Sequence, residues 1–289
     1  MRKLFLQTAA KVNLYLNVLG KRDDGYHEIE SIMQSVTLYD KLILRKLKGG
    51  INVWCDDPDV PSGKENLCYR AAELFLKRLK IKQGVEIEIH KLIPTRAGLG
   101  GGSADAAATL QGMSRLFGVD VPYQELLKWA EELGSDVPFC LKGGTSLVRG
   151  KGENILSLPP IKKGWFVLVN PKIPISTSWI YKKIRVGLTK KRLNVNLLTE
   201  FLKRQDLCGI NAFLYNKLEE VAFEEFPLMR KIKEDMLKLG AYGALMTGSG
   251  STIFGVTEKR EEAENILNKL QKRGKVYLVQ PIDKSFKEA

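Results

Sequence analysis

Four glycines fall within five positions at Gly98-Leu99-Gly100-Gly101-Gly102, and Ser103-Ala104-Asp105 leads from them into an Ala/Leu-rich run ending near Phe117. Glycine reaches backbone conformations closed to residues with a Cβ and lets a ligand come close to the main chain. Ser103 is expected to cap a helix over the following run, which has high helical propensity. Free N–H groups at a helix start, with the positive end of the dipole, suit a phosphate.

Three loops share this appearance. A Walker A loop needs Gly-Lys-Ser/Thr, and no lysine precedes Ser103. A dinucleotide fingerprint is nearly matched by Gly98, Gly100 and Ser103, with Asp120 at a ribose-binding distance. Against it, the alternating strand Val85 to His90 is cut off from the glycines by Lys91 to Ala97, including Pro94. The bland alternative, a flexible loop before a core helix, suits one glycine better than four.

The surrounding pattern supplies elements to hold such a loop. Residues 3 to 19 alternate as a strand, with Val12, Leu14, Leu16 and Val18 on one face and Lys11, Asn13, Tyr15 and Asn17 on the other. Asp24-Gly25 is a hairpin signal before Glu28 to Leu38. Lys41 to Leu47 and Gly50 to Cys55 continue the strand pattern, Asn66 to Leu79 has helical spacing, and a helix over Tyr123 to Leu133 stops at Gly134. Pro159-Pro160 divides a unit of residues 1–158 from one of 159–289. The second opens with a strand at Trp165 to Val169 and has a basic helical region over about 178–204. It closes with a helix from Leu228 and strands at Ala241 to Met246 and Thr252 to Val256, then a helix over Arg260 to Lys272 and a strand over Val276 to Gln280. Helix, strand, turn, strand, helix, strand is a ferredoxin-like order.

Composition narrows the partners. Lys plus Arg number 46 against 33 Asp plus Glu, a net charge of +13 that favours anionic ligands without choosing among them. Basic blocks such as Lys190-Lys191-Arg192 and Lys80-Ile81-Lys82 are short, as on solvated faces. No apolar run reaches the roughly 18 residues of a membrane helix, and the start is too short for a secretory signal, so a cytoplasmic location without a membrane partner is expected. The four cysteines are scattered, and the two histidines, His27 and His90, argue against a histidine-based metal centre or a serine triad. His90, in register with Glu86 and Glu88, is expected to be a solvated strand residue.

The segment Pro94-x-x-x-Gly98-Leu99-Gly100-Gly101-Gly102-Ser103-Ala104 resembles the central motif of the galactokinase, homoserine kinase, mevalonate kinase and phosphomevalonate kinase (GHMP) superfamily. Ala10-Lys11-Val12-Asn13-Leu14 and Leu245-Met246-Thr247-Gly248-Ser249-Gly250-Ser251 resemble its other two signatures, in the family's order and spanning nearly the whole chain. The Gly-Glu-His of galactokinases is missing. Asp24-Gly25-Tyr26-His27 instead resembles the branch that phosphorylates a cytidine diphosphate-linked methylerythritol in non-mevalonate isoprenoid synthesis. Gly134 to Phe139 resembles the segment where that branch keeps its catalytic aspartate.

The resemblance implies an α+β, two-domain GHMP kinase architecture, with an N-terminal βαβ domain like that of a ribosomal protein and a ferredoxin-like C-terminal domain. It implies ATP as co-substrate with Mg²⁺, a small-molecule acceptor, and no nucleic-acid partner. Asp136 would take the proton of the acceptor 2-hydroxyl, with Lys11 as the cation beside it. Pro94, Thr95, Arg96, Ala97, Gly98, Leu99, Gly100, Gly101, Gly102, Ser103 and Ala104 would wrap ATP, and Ser103 would reach Mg²⁺ or a phosphate oxygen. Asn13 would orient the polyol and His27 would bond the cytosine edge, between Tyr26 and Tyr181 on its two faces. Tyr181 stands where family members carry phenylalanine, and Trp179 also departs from them. Thr247, Gly248, Ser249 and Gly250 would close over the site.

Each residue also has a plainer reading. Asp136 before Val-Pro-Phe would be a helix cap, Lys11 a charge on an outer strand face, Tyr26 a surface aromatic, the 247–251 turn a tight hairpin, and Asp105 a first-turn acid favoured by the dipole. The joint occurrence of Asp136 and Lys11 with the glycine loop reverses the priors for those two, whereas Asp105 is expected to be the first-turn acid. The alternatives are a sister kinase for homoserine or a mevalonate derivative and, from another class, a basic RNA-binding module.

Overall fold

The computed structural model describes residues 3–184 and 193–288. The block at 190–192 and part of the expected basic helical region lie outside the described residues.

The chain begins with a long hairpin, β1 (Lys3–Lys21) and β2 (His27–Leu47), turning at Asp24-Gly25 as its sequence predicts. Register shifts after Ala9, Asn13 and Val18 bend β1. Next come β3 (Ile51–Cys55), α1 (Leu67–Arg78), β4 (Gly84–His90), α2 (Gly101–Phe117), α3 (Tyr123–Leu133), α4 (Val137–Lys142), β5 (Thr145–Gly150) and β6 (Asn154–Ser157). β2 is shared along its length. Its first half pairs with β5 and its second half with β4. The helices cover one face, where Leu42, Leu44, Ile87 and Phe75 join the alanines of α2 in a core from which water is excluded.

The second half contains β7 (Trp165–Asn170), α5 (Thr177–Lys183), α6 (Val195–Arg204), α7 (Leu207–Asn211), β8 (Tyr215–Asn216) and α8 (Glu219–Glu225). It continues through α9 (Pro227–Lys238), β9 (Gly243–Met246), β10 (Ile253–Thr257), α10 (Arg260–Leu270) and β11 (Lys275–Val279). The four larger strands form an antiparallel sheet in the order β11-β7-β10-β9, the ferredoxin-like arrangement that the element order implies. Met229, Ile232 and Met236 of α9 and Ala263 and Ile266 of α10 pack against Val167 and Val169 of its central strand.

The two halves share one buried surface. Val12 and Leu14 of β1 pack with Phe166, Leu168 and Phe254 of the second sheet. β8 adds to β1 in parallel, and β12 (Pro281–Ile282) and β13 (Phe286–Glu288) return to pair with β2 and β1. Residues 281–288 therefore belong to the first sheet, although they fall in the 159–289 unit of the sequence division.

Two expectations at the glycine loop are corrected. α2 begins at Gly101 with Gly100 as its N-cap in the left-handed conformation (φ 70°), and no side chain caps it. Ser103 lies inside the first turn because the left-handed glycine starts the helix three residues early. Asp105, expected as a first-turn acid, lies past the acid-free first turn of α2 and is 2% exposed. Its oxygens accept from the Thr8 hydroxyl at 2.8 Å and the Lys91 ammonium at 2.8 Å.

Candidate active site

Lys11 projects from β1 into a nearly dry site at 4% exposure. Its Nζ lies 3.2 Å from Asp136 Oδ2 and donates to Asn13 Oδ1 at 2.8 Å. Asp136 occupies the cap position before α4, yet makes no side-chain cap bond. Its carboxylate faces Lys11 and stays one-third exposed, open to a ligand. Asn13, two residues from Lys11 on the same strand face, is 1% exposed and gives its amide to Ser31 Oγ at 2.9 Å. This amide thus spans Lys11 and Ser31, so it fixes where the ammonium sits.

The glycine loop is strung between these residues and the 247–251 turn. The Lys11 N–H donates to the Leu99 carbonyl at 2.9 Å, and a Cβ on Gly100 would lie 2.9 Å from Lys11 Cγ. Gly98 has φ 76°, and a Cβ there would fall 2.1 Å from the Thr247 carbonyl oxygen. Ala97 and Leu99 are buried anchors, whereas Arg96 and Gly102 are exposed. Because α2 starts at Gly101, the first-turn N–H groups have no helical acceptor and point out of the helix end, where an anion is favoured. Ser103 is half-buried in that turn.

Thr247 is fully buried. Its Oγ1 accepts from the Asn13 backbone at 3.0 Å and shares its single proton between Gly98 O at 3.2 Å and Asn13 Oδ1 at 3.3 Å. Asn216 of β8 holds the same turn through the carbonyls of Met246 and Gly248. Ser249 meets Thr177 at 3.1 Å. Gly250 adopts φ 85°.

At the hairpin tip, His27 and Tyr181 pack ring to ring with centroids 5.1 Å apart. Burial pushes the Tyr181 phenol up, and the Asp136 carboxylate adds to the shift, so Tyr181 belongs to the neighbourhood of that acid. Burial, then the charge of Lys21, holds His27 below the ordinary histidine range. Tyr26 is exposed, with the Lys151 ammonium 5.2 Å above its ring. The structure pairs Tyr181 with His27 rather than with Tyr26.

A cavity of about 740 Å³ opens beside the loop's first residues, lined by Pro94, Thr95 and Arg96, by Asp56 and Asp57 after β3, and by Lys172 from the second half. Sequence reasoning missed Asp56 and Asp57, whose approach follows from the parallel β3–β4 pairing. It also missed Asn216, and the buried partners Thr8, Asp40 and Lys91. The only local signals were an acid between strand-like runs at Asp40 and a lysine just ahead of the loop.

Residues 66–144 match the model for the GHMP kinases N terminal domain and residues 198–276 that for the GHMP kinases C terminal domain. The chain belongs to the GHMP kinase family, whose members use ATP as co-substrate. It is 42% identical over 263 residues to the 4-diphosphocytidyl-2-C-methyl-D-erythritol kinase of Acetivibrio thermocellus, covering 91% of this chain and 93% of that one. It is 44% identical over 271 residues to the protein of the same name from Pelotomaculum thermopropionicum, covering 93% and 94%. A crystal structure of 4-(cytidine 5'-diphospho)-2C-methyl-D-erythritol kinase superposes with a TM-score of 0.82 at 35% identity, covering 96% of this chain and 99% of that one. Homoserine kinase from Cytophaga hutchinsonii also superposes at 0.82, but at 22% identity it shows the shared fold alone. The protein is a small-molecule kinase.

Proposed function

We propose that the protein transfers the γ-phosphoryl group of ATP to the 2-hydroxyl of 4-diphosphocytidyl-2-C-methyl-D-erythritol. The observation that carries the reading is the 3.2 Å Lys11–Asp136 contact beside the glycine loop. Asp136 accepts the proton of the hydroxyl as its oxygen bonds to the γ-phosphorus and the bond to the β–γ bridging oxygen breaks, releasing ADP. Such base assistance contributes about 10²- to 10⁴-fold in rate. Lys11, held in place by Asn13, offsets charge on the transferring group. Residues 94–104 wrap the triphosphate, with the start of α2 at its oxygens, and the cavity beside Thr95 and Arg96 receives the nucleoside. His27 and Tyr181 meet the cytosine with Tyr26, and the 247–250 turn closes the site.

Magnesium fits this donor set as a passenger of ATP. Among the described residues no group of three or more His, Cys, Asp or Glu could hold a metal ion by itself. Mg²⁺ commonly keeps several waters and binds chiefly through substrate phosphates, leaving a place for the Ser103 hydroxyl. When bound, it neutralises phosphate charge.

Among the described residues no helix is long and apolar enough to cross a membrane. All four cysteines are free thiols, which with ATP as donor suits a cytoplasmic setting. The test is turnover of the cytidylylated alcohol with MgATP, alongside homoserine, mevalonate and phosphomevalonate. ADP release with the first alone supports the reading, and turnover of one of the others in its place would overturn it.

A further inference from the structure

Beneath the glycine loop lies a charge cluster that phosphoryl transfer itself does not use. Lys91, directly after β4, has a side chain only 5% exposed, and its ammonium bonds both Asp40 of β2 and, at 2.8 Å, Asp105 of α2. Asp40 is fully buried, and its second oxygen accepts from the N–H groups of Leu92 at 2.6 Å and Ile93 at 2.8 Å. Asp105 also accepts from Thr8 of β1. The Lys91 N–H is held by Asp56 at 2.8 Å, on the cavity wall. A Cβ added to Gly101 would lie 3.0 Å from Lys91 Nζ, so the ammonium sits directly under the first residue of α2.

We propose that Lys91, clamped between Asp40 and Asp105, is a positioning residue for ATP that sets the height and direction of the first turn of α2. The inference rests on the reading that this helix start receives the phosphates.

Stability alone does not account for the cluster, because well-packed apolar groups commonly replace buried ion pairs at no loss of stability. Direct attraction does not account for it either, since one ammonium held between two carboxyl groups leaves no net positive charge for a phosphate. Burial and then the Asp105 charge push Asp40 up to about 7. Burial pulls Lys91 down, but Asp105 and Asp40 outweigh it and hold the ammonium above the ordinary lysine range. Connectivity is what the cluster supplies. It ties β2, the chain entering the loop and the helix leaving it through one cation, and β1 through the Thr8 bond to Asp105.

Calorimetric titration with ATP and ADP on the wild-type chain, Lys91→Met and Asp105→Asn tests this, with melting temperatures measured in parallel. Displacement of the helix start predicts nucleotide affinity lowered by about tenfold to 10²-fold. The KM for the acceptor alcohol should stay near the wild-type value. If Lys91→Met does not fold, Asp105→Asn, which keeps its shape and a partner for Thr8, decides the matter. Lower melting temperature with unchanged affinity for ATP and ADP would overturn the proposal and leave a purely structural cluster. A wild-type chain that binds no ATP would overturn the reading of the loop, and this inference with it.

Discussion

Thr247 and Asn13 lie 234 residues apart in the chain, yet the Thr247 hydroxyl accepts the Asn13 backbone N–H at 3.0 Å inside a fully buried contact. Asn13 in turn accepts from the Lys11 ammonium. One hydroxyl of the second half therefore helps to set the cation on the first strand. Thr247→Val keeps the shape and strands that N–H, a loss of about 1–3 kcal/mol. Thermal unfolding should fall by about 2–4 °C per kcal/mol. Unchanged melting and unchanged kcat/KM would show that the hydroxyl carries nothing.

Asp136→Asn keeps size and leaves the fold intact, because no cap bond is lost. Turnover should fall by about 10²- to 10⁴-fold, while ATP still binds by calorimetry. Wild-type turnover in the variant would remove Asp136 from the reaction.

Gly98→Ala and Gly118→Ala separate backbone strain from collision. Both glycines have positive φ, 76° and 69°, but a Cβ at Gly118 meets nothing within 4 Å, whereas one at Gly98 meets the Thr247 carbonyl at 2.1 Å. The left-handed conformation costs a residue with a Cβ about 1–2 kcal/mol. Gly118→Ala should lose about that much in denaturant titration and keep its kinase rate. Gly98→Ala should lose more and give up turnover as well.

Tyr26→Ala should raise the KM for the cytidylylated alcohol by about tenfold, in line with roughly 1–3 kcal/mol for stacking on a base. The KM for ATP should not move. Equal KM values for the alcohol in variant and wild type would take Tyr26 out of substrate recognition.

His27 titrates below its ordinary value of 6.5 because burial disfavours the imidazolium. The unfolded chain therefore binds the proton more readily, so this group contributes no penalty above about pH 6.5 and lowers stability as pH falls from there toward the folded value. Proton NMR of the two histidine rings, assigned with His27→Asn, should find the lower pKa at His27. A value at or above 6.5 would contradict the burial of the ring.

Much of this was legible in local pattern. The hairpin of β1 and β2 announced itself by alternation and by Asp24-Gly25, and the five elements from α9 to β11 by their order. Chemistry was less visible. Without a family resemblance, Lys11 read as a charge on an outer strand face and Asp136 as a cap, because the glycine loop and the 247–251 turn that cover Lys11, and Asp136 that faces it, come from distant parts of the chain. Ser103 looked like a cap because serine usually is one, and only the backbone of Gly100 reveals that the helix has already begun. The pairing of Lys91 with Asp40 spans 51 residues, and that of Thr8 with Asp105 spans 97. Burial at that range leaves no mark on neighbouring residues.

The return of β12 and β13 to the first sheet bears on how the chain is made. β1 and β2 are translated early, yet Ser35 meets Ser285 across 250 residues and β1 waits equally long for β13. On the ribosome the open edge of β1 stays unpaired until the second half has emerged, and such non-local closure is slow. A nascent chain stalled before residue 281 should therefore recruit chaperones that the completed one no longer needs.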